Sequence, residues 1–180
     1  MRQVYRIVPA ARAHLAEIPK IEQAAASVFA AEDLPPALRY RVTDRELLRE
    51  AQRDGRLWVA ITAAHPVGFA LADVADGHAY LSEIDVHPEH ARRGLGTRLV
   101  RAVVDWASAR RFACVLLVTF RHLPWNAPFY ERLGFVALDE AEMGADLREL
   151  IAEEGAAGID TAKRIAMRLR LPLASTEGWE

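Results

Sequence analysis

His87-Pro88-Glu89-His90-Ala91-Arg92-Arg93-Gly94-Leu95-Gly96-Thr97-Arg98-Leu99-Val100 is the stretch whose reading decides the fold. A strand-like apolar run, Ala79 to Val86, ends just before it, and an amphipathic helical pattern starts within it. A strand that passes through a glycine-containing turn into a helix is the layout of a phosphate cradle. The N–H groups of the turn and the unpaired N–H groups of the first helical turn face one point there. Gly94 and Gly96 lack a Cβ, so the backbone can approach an anion closely and take φ values that other residues resist. Arg92, Arg93 and Arg98 add positive charge, and the anion expected is a di- or triphosphate. The competing reading is an ordinary tight turn, because short glycine patterns are common. Two other polyphosphate motifs do not fit. A dinucleotide-binding G-x-G-x-x-G needs a small residue where Leu99 stands, and a P-loop needs a Gly-Lys-Ser/Thr that does not follow.

The rest of the chain bounds what that turn can serve. With 180 residues, 52% of them apolar and 27% charged, the chain has the size of one ordinary globular domain with a substantial core. We expect one domain over residues 1–172 and a flexible tail over 173–180. A formal net charge of −2 gives no general drive toward nucleic acid or an anionic membrane, so neither is an expected partner. Cys114 is the only cysteine and lies inside an apolar run, which excludes disulfide scaffolds and cysteine-based zinc sites and suits a reducing cytoplasm. The N-terminus has no signal-peptide core, and no apolar run approaches the roughly 18 residues that span a bilayer. The expectation is a soluble, cytoplasmic protein.

Periodicity orders the elements. Gln3 to Val8 reads as a first strand, and from Ala11 a helical pattern places Leu15, Ile18, Ile21, Ala25 and Phe29 on one face. Pro19 interrupts it, so either a kink or two short helices follows, with Pro19 opening the second. Ala31 to Tyr40 carries two prolines and two acids and reads as a loop, a candidate rim for a substrate cleft. Thr43 and Glu46 resemble a capping box that starts a helix from Asp44 to about Arg53. Arg56 to Thr62, Val67 to Val74 and His78 to Val86 read as an antiparallel meander. The helix from Leu95 buries Leu99, Ala102, Val103 and Trp106. Cys114 to Thr119 is continuously apolar, as a strand buried on both faces is, and the crossover helix makes it the parallel neighbour of His78 to Val86. Pro124 to Leu133 then reads as a short helix, Gly134 to Leu138 as a strand, Glu140 to Glu154 as a helix and Arg164 to Leu171 as a last strand. The fold class is α/β of the α+β type, a mixed sheet flanked by helices.

A second motif gives the first its meaning. Asn126-Ala127-Pro128-Phe129-Tyr130-Glu131-Arg132-Leu133-Gly134-Phe135 resembles the asparagine, aromatic-tyrosine and glycine-phenylalanine signature of the GNAT superfamily of acyl-CoA-dependent N-acyltransferases. Ala91-Arg92-Arg93-Gly94-Leu95-Gly96 resembles that family's other signature, departing from it only at Ala91, where glutamine or arginine is usual. The stretch from Thr119 to Asn126, TFRHLPWN, is similar to a bacterial subgroup whose acceptors are mostly unassigned. The resemblance covers about Gln3 to Leu171.

What the resemblance implies is specific. It implies a sheet of about seven strands splayed between the fourth and fifth, with the pantetheine arm of acetyl-CoA in the gap beside Ile84, Asp85 and Val86. The pyrophosphate would rest on Arg92, Arg93, Gly94, Leu95, Gly96 and Thr97. Asn126 would contact pantetheine or serve as an N-cap, and Phe129 would pack close by. Tyr130 would protonate the leaving thiolate. Glu83, with Asp85 or a water chain as alternatives, would take the proton of the acceptor amine, whose ordinary pKa near 10.4 keeps it protonated. On a strand Glu83 and Asp85 share one face, unless a bulge shifts the alternation. The implied activity is transfer of an acetyl group from acetyl-CoA to a primary amine of a small molecule by direct attack. The alternatives are a protein N-terminus or lysine as acceptor, or acyl-CoA binding without turnover. A homodimer is an arrangement the last helix and strand could complete.

Other residues carry weaker readings. The spacing of His87, His90 and His122 matches no helical zinc pair, and no metal is expected. Trp58, Trp106 and Trp125 read as packing residues, with Trp125 and Arg121 as candidates to line an acceptor tunnel. Glu32, Asp33 and the acids of Glu140 to Glu154 could draw a cationic acceptor to the cleft mouth.

Overall fold

The computed structural model describes residues 4–172. Gln3 and the tail expected over 173–180 lie outside the described residues. The strands are β1 (Arg6–Pro9), β2 (Leu57–Thr62), β3 (His65–Ala75), β4 (His78–Val86), β5 (Cys114–Phe120), β6 (Val136–Ala137) and β7 (Arg164–Arg170). They form one seven-stranded mixed sheet in the order β1-β2-β3-β4-β5-β7-β6, in which only β4 and β5 are parallel. The helices are α1 (Ile18–Ala26), α2 (Arg45–Arg53), α3 (Leu95–Ala109), α4 (Ala127–Glu131) and α5 (Ala145–Ala156). Among the described residues no helix is long and apolar enough to cross a membrane.

Two apolar layers sandwich the sheet. Leu95, Leu99, Val100, Val103 and Trp106 of α3 pack with Ala127 and Tyr130 of α4 on one face. Ile18 and Ile21 of α1 and Leu48 and Ala51 of α2 cover Leu57, Val59, Phe69 and Leu71 on the other. Leu147 of α5 joins that second side over Tyr80, Leu116 and Ala166.

Strand β4 changes its alternation halfway. Leu71 pairs with Glu83 while Ala72 pairs with Leu81, so Ser82 is an extra residue, a bulge. Before it, Ala79 and Leu81 face α3; after it, Ile84 and Val86 do. Tyr80 therefore shares a face with Glu83 and Asp85, toward α1 and α5. Glu83 and Asp85 stay together, as simple alternation predicts, but the bulge decides which side receives them.

Several boundaries differ from the sequence reading, each for a local reason. The first helical pattern divides into a 3-10 turn at Arg12–His14 and α1, with Pro19 in its first turn, and Phe29 lies beyond its end. The cap of α2 is Asp44, whose carboxylate accepts from the N–H groups of Glu46 and Leu47 at 2.8 and 3.2 Å. Thr43 is not the cap: its N–H and hydroxyl both donate to Glu22. Strand β3 starts at His65 because Ala63 and Ala64, at φ 47° and 70°, make the hairpin turn alone.

The helix expected over Glu140 to Glu154 is interrupted. A 3-10 turn spans Glu140–Glu142, and α5 begins only at Ala145. Asp76, in the β3–β4 turn, accepts from the N–H groups of Asp146 and Leu147 at 2.9 and 3.2 Å, so a distant hairpin caps this helix. A Cβ at Gly144 would collide with the same carboxylate. Replacing Asp76 with alanine should cost about 1–2 kcal/mol, as loss of a cap does, measured by urea unfolding. The equivalent loss at Thr43 should leave the cap of α2 in place.

Candidate active site

Strands β4 and β5 pair only at Ala79–Val115 and Tyr80–Leu116 and then diverge. Backbone from Leu81 to Val86 is thereby released from β5, and a cavity of about 720 Å³ opens between the strands. Glu83, Asp85, Thr119, Asn126 and Tyr130 line it, along with Glu22 and Thr43 on the α1 side and Glu153, Glu154 and Arg164 on the α5 side.

The cradle lies between the end of β4 and α3. Arg92 (φ 58°) and Gly94 (φ 72°) are both left-handed, and alternation of hand turns successive N–H groups toward a common point. Gly94 is the N-cap of α3 and has no side chain to offer, so the first N–H groups of the helix stay open to an anion. No atom lies within 4 Å of a Cβ built on Gly94, so its φ and the close approach of a ligand are what call for glycine. Gly96 answers to packing instead. Its Cβ would stand 3.3 Å from Cζ of Phe129, so the two sequence motifs meet in space at this glycine. Leu95 is buried, and Thr97 is half-buried in the first turn. Arg98, in the first turn of α3, donates to the Tyr5 carbonyl at 3.1 Å. Arg93 reaches the Glu89 carbonyl at 3.4 Å and sits over the Tyr5 ring, and all three arginines are exposed.

Deeper in the gap, Asn126 occupies the N-cap position of α4 but makes no cap hydrogen bond. Its Nδ2 donates to Thr119 Oγ1 at 2.7 Å, which fixes the amide, and its Oδ1 is buried with no protein partner. Of the two roles open to it in sequence, the structure removes the cap. Tyr130, on the next turn, is 6% exposed and stacks edge-on to Phe135 at 5.6 Å. Burial, reinforced by the nearby Glu83 and Asp85 carboxylates, raises its phenol well above the ordinary value, so it holds its proton.

The facing wall is acidic. Glu83 is an exposed residue on the open wall of the cleft, and desolvation followed by the Glu22 carboxylate pushes it up to about 7. Asp85 is raised well above the usual range by desolvation and then by Glu83 and Glu22. Sequence reasoning passed over Glu22, although a signal existed: it sits among Ile18, Ile21 and Ala25 on the buried stripe of α1, where an acid is out of pattern.

Other expected contributors are elsewhere. Trp125 is half exposed against Phe29, and Arg121 donates to the Arg164 carbonyl; neither lines the cavity. Asp33 is buried and bonded to Lys163 at 2.8 Å and His122 at 3.0 Å, so it anchors the loop over 31–40 instead of attracting ligand. Lys163 holds its carboxyl below the usual range. Of the later acids, Glu153 and Glu154 reach the cavity, Glu154 bound to Arg164 at 2.7 Å. His87, Glu89 and His90, which match no helical metal spacing, nonetheless bring one ligand atom each within 4.8 Å of the others. The Nδ1 atoms of both histidines are already engaged, by the Glu89 N–H and the Tyr5 hydroxyl.

A mixed sheet opened between two parallel strands, with a glycine turn into α3 at the mouth, defines a protein of the GNAT fold. The description of the acetyltransferase (GNAT) family matches residues 19–135, and the chain belongs to that family. A curated relative, an uncharacterised N-acetyltransferase, YafP, of Escherichia coli (strain K12), is 29% identical over 92 residues, 51% of this chain and 53% of the relative. The match thus spans about half the length of that relative. Among solved structures, the ribosomal-protein-S18-alanine N-acetyltransferase of Escherichia coli is similar with a TM-score of 0.67 and 20% identity, covering 98% of this chain and 100% of its own. The PaiA N-acetyltransferase of Thermoplasma acidophilum, in complex with coenzyme A, is similar with a TM-score of 0.68 and 13% identity, covering 93% and 99%. At these identities the likeness is one of fold.

Replacing Gly94 with valine should weaken coenzyme A binding about tenfold, as 1–2 kcal/mol of left-handed strain would, read by calorimetry. Wild-type affinity in that variant would remove the cradle.

Proposed function

We propose that the protein is an acetyl-CoA-dependent N-acetyltransferase acting on a primary amine of a small molecule. The observation that carries this reading is the splayed pair β4 and β5 with Tyr130 on one lip of the gap and Glu83 on the other. The N–H groups of Arg92 to Thr97 receive the pyrophosphate. Pantetheine lies in the gap, pairing with released backbone at Ile84, Asp85 and Val86, and the orphaned Asn126 Oδ1 suits one of its amide N–H groups. Phe129 closes the wall beside Gly96.

In the reaction the amine nitrogen attacks the thioester carbonyl carbon. A carboxylate near 7 in pKa is matched to accept the amine's proton at neutral pH, which assigns the base to Glu83, with Asp85 beside it. Backbone N–H groups near Ile84 and Val86 face the developing oxyanion. Collapse breaks the C–S bond, and Tyr130, kept protonated by burial, gives its proton to the sulfur. Phe29, Leu34 and Leu38 on one side and Leu150, Ala156 and Ala157 on the other wall the acceptor end, which favours a small amine over a peptide. The single buried cysteine suits a reducing cytoplasm.

A panel of amines assayed for thiol release from acetyl-CoA tests the activity, and no turnover with any amine would overturn it. Tyr130→Phe should slow the chemical step roughly ten- to several-hundred-fold while leaving coenzyme A affinity close to wild type. The pH profile checks the base. Glu83 works only when ionised, and its raised pKa keeps it protonated in acid, so kcat should fall as pH drops below about 7 and level off above it. Glu83→Gln should abolish that acidic limb; a variant that keeps it would move the base to Asp85 or water.

A further inference from the structure

Glu22 is 7% exposed and stands on the stripe of α1 that packs against the sheet. Burying a carboxylate is costly unless its oxygens are satisfied. Thr43 satisfies Oε1 twice, with its N–H at 3.0 Å and with its hydroxyl. Oε2 has no protein partner, and the residue lines the cavity opposite Glu83 and Asp85. One oxygen is thus clamped, and the other is buried without a partner among the described residues, in a side chain that lines the cavity.

The charge around that space is unbalanced. Five carboxylates line the cavity (Glu22, Glu83, Asp85, Glu153 and Glu154) against two guanidiniums, Arg41 and Arg164. Arg164 is committed to Glu154 and stacks over Phe120 at 4.4 Å. The reacting nitrogen must be neutral when it attacks, so after losing its proton to Glu83 it no longer balances Glu22. A nitrogen that stays charged throughout the reaction would.

Resting on the transferase reading above, we propose that Glu22 Oε2 binds a second, non-reacting cationic nitrogen of the acceptor, making the substrate a diamine or polyamine. Glu22 then sets specificity: it holds the far ammonium by a charged hydrogen bond and leaves the near nitrogen at Glu83. The Thr43 clamp keeps that oxygen from turning back to the protein.

The test is a matched series of linear alkyl monoamines and diaminoalkanes of increasing length, assayed with acetyl-CoA. The wild type should prefer the best diamine over its monoamine by about tenfold or more in kcat/KM, the scale of one charged hydrogen bond. The difference should fall on KM. Glu22→Gln keeps the Thr43 contacts and removes the charge, so it should raise KM for the diamine and bring the preference close to unity. Equal use of monoamine and diamine by the wild type, or a preference that survives in E22Q, would overturn the second site and leave the transferase reading standing. If E22Q does not fold, the wild-type comparison decides alone. No turnover with any amine, in this series or in the wider panel, would defeat the transferase reading. Thermal stabilisation of the wild type by diamine and not by monoamine would then still support the cation site, and equal shifts would overturn it.

Discussion

The bulge at Ser82 is the constraint on which the cleft depends. One extra residue in β4 keeps Leu81 and Ile84 on the same buried face, so the apolar layer under α3 continues across the irregularity. The same slip places Glu83 and Asp85 on the side of Tyr80, against α1 and α5. Beyond the last pair, Tyr80–Leu116, β4 and β5 no longer bond, and backbone polar groups face a gap. Such groups are costly to bury unpaired, which makes the gap a place for an extended ligand with amides of its own.

Around that gap the fold keeps two opposed electrostatic environments apart. The cradle presents N–H groups and the Arg92 side chain to the mouth, suited to a polyanion. The far end is acidic: desolvation raises Glu22, Glu83 and Asp85, and for Glu83 and Asp85 neighbouring carboxylates add to it. Tyr130 lies between the two and remains neutral because of both burial and those carboxylates. One end thus suits an anionic ligand and the other a cationic one.

Much of this was legible in the chain. The crossover from β4 through α3 to β5 followed from a glycine turn, an amphipathic repeat and a wholly apolar strand, patterns that depend on neighbouring residues. Both signature stretches were legible for the same reason, since a left-handed glycine and a proline-opened helix are local demands. Contacts between distant segments were not. Asp76 capping α5 across the β3–β4 turn, Thr43 turned from its own helix to Glu22, Arg98 bonded to Tyr5, and Asp33 anchored by Lys163 each replaced a local expectation with a long-range bond.

The sequence by itself determined the order of most elements, the family, the glycine turn into α3 and the choice of Tyr130 and Glu83 as the residues to weigh, because periodicity and motif spacing are carried along the chain. The tertiary structure alone decided which face receives the carboxylates and that Glu22 lines the same cavity. Those outcomes depend on strand register and on burial, and both are set only when residues far apart in the chain pack together.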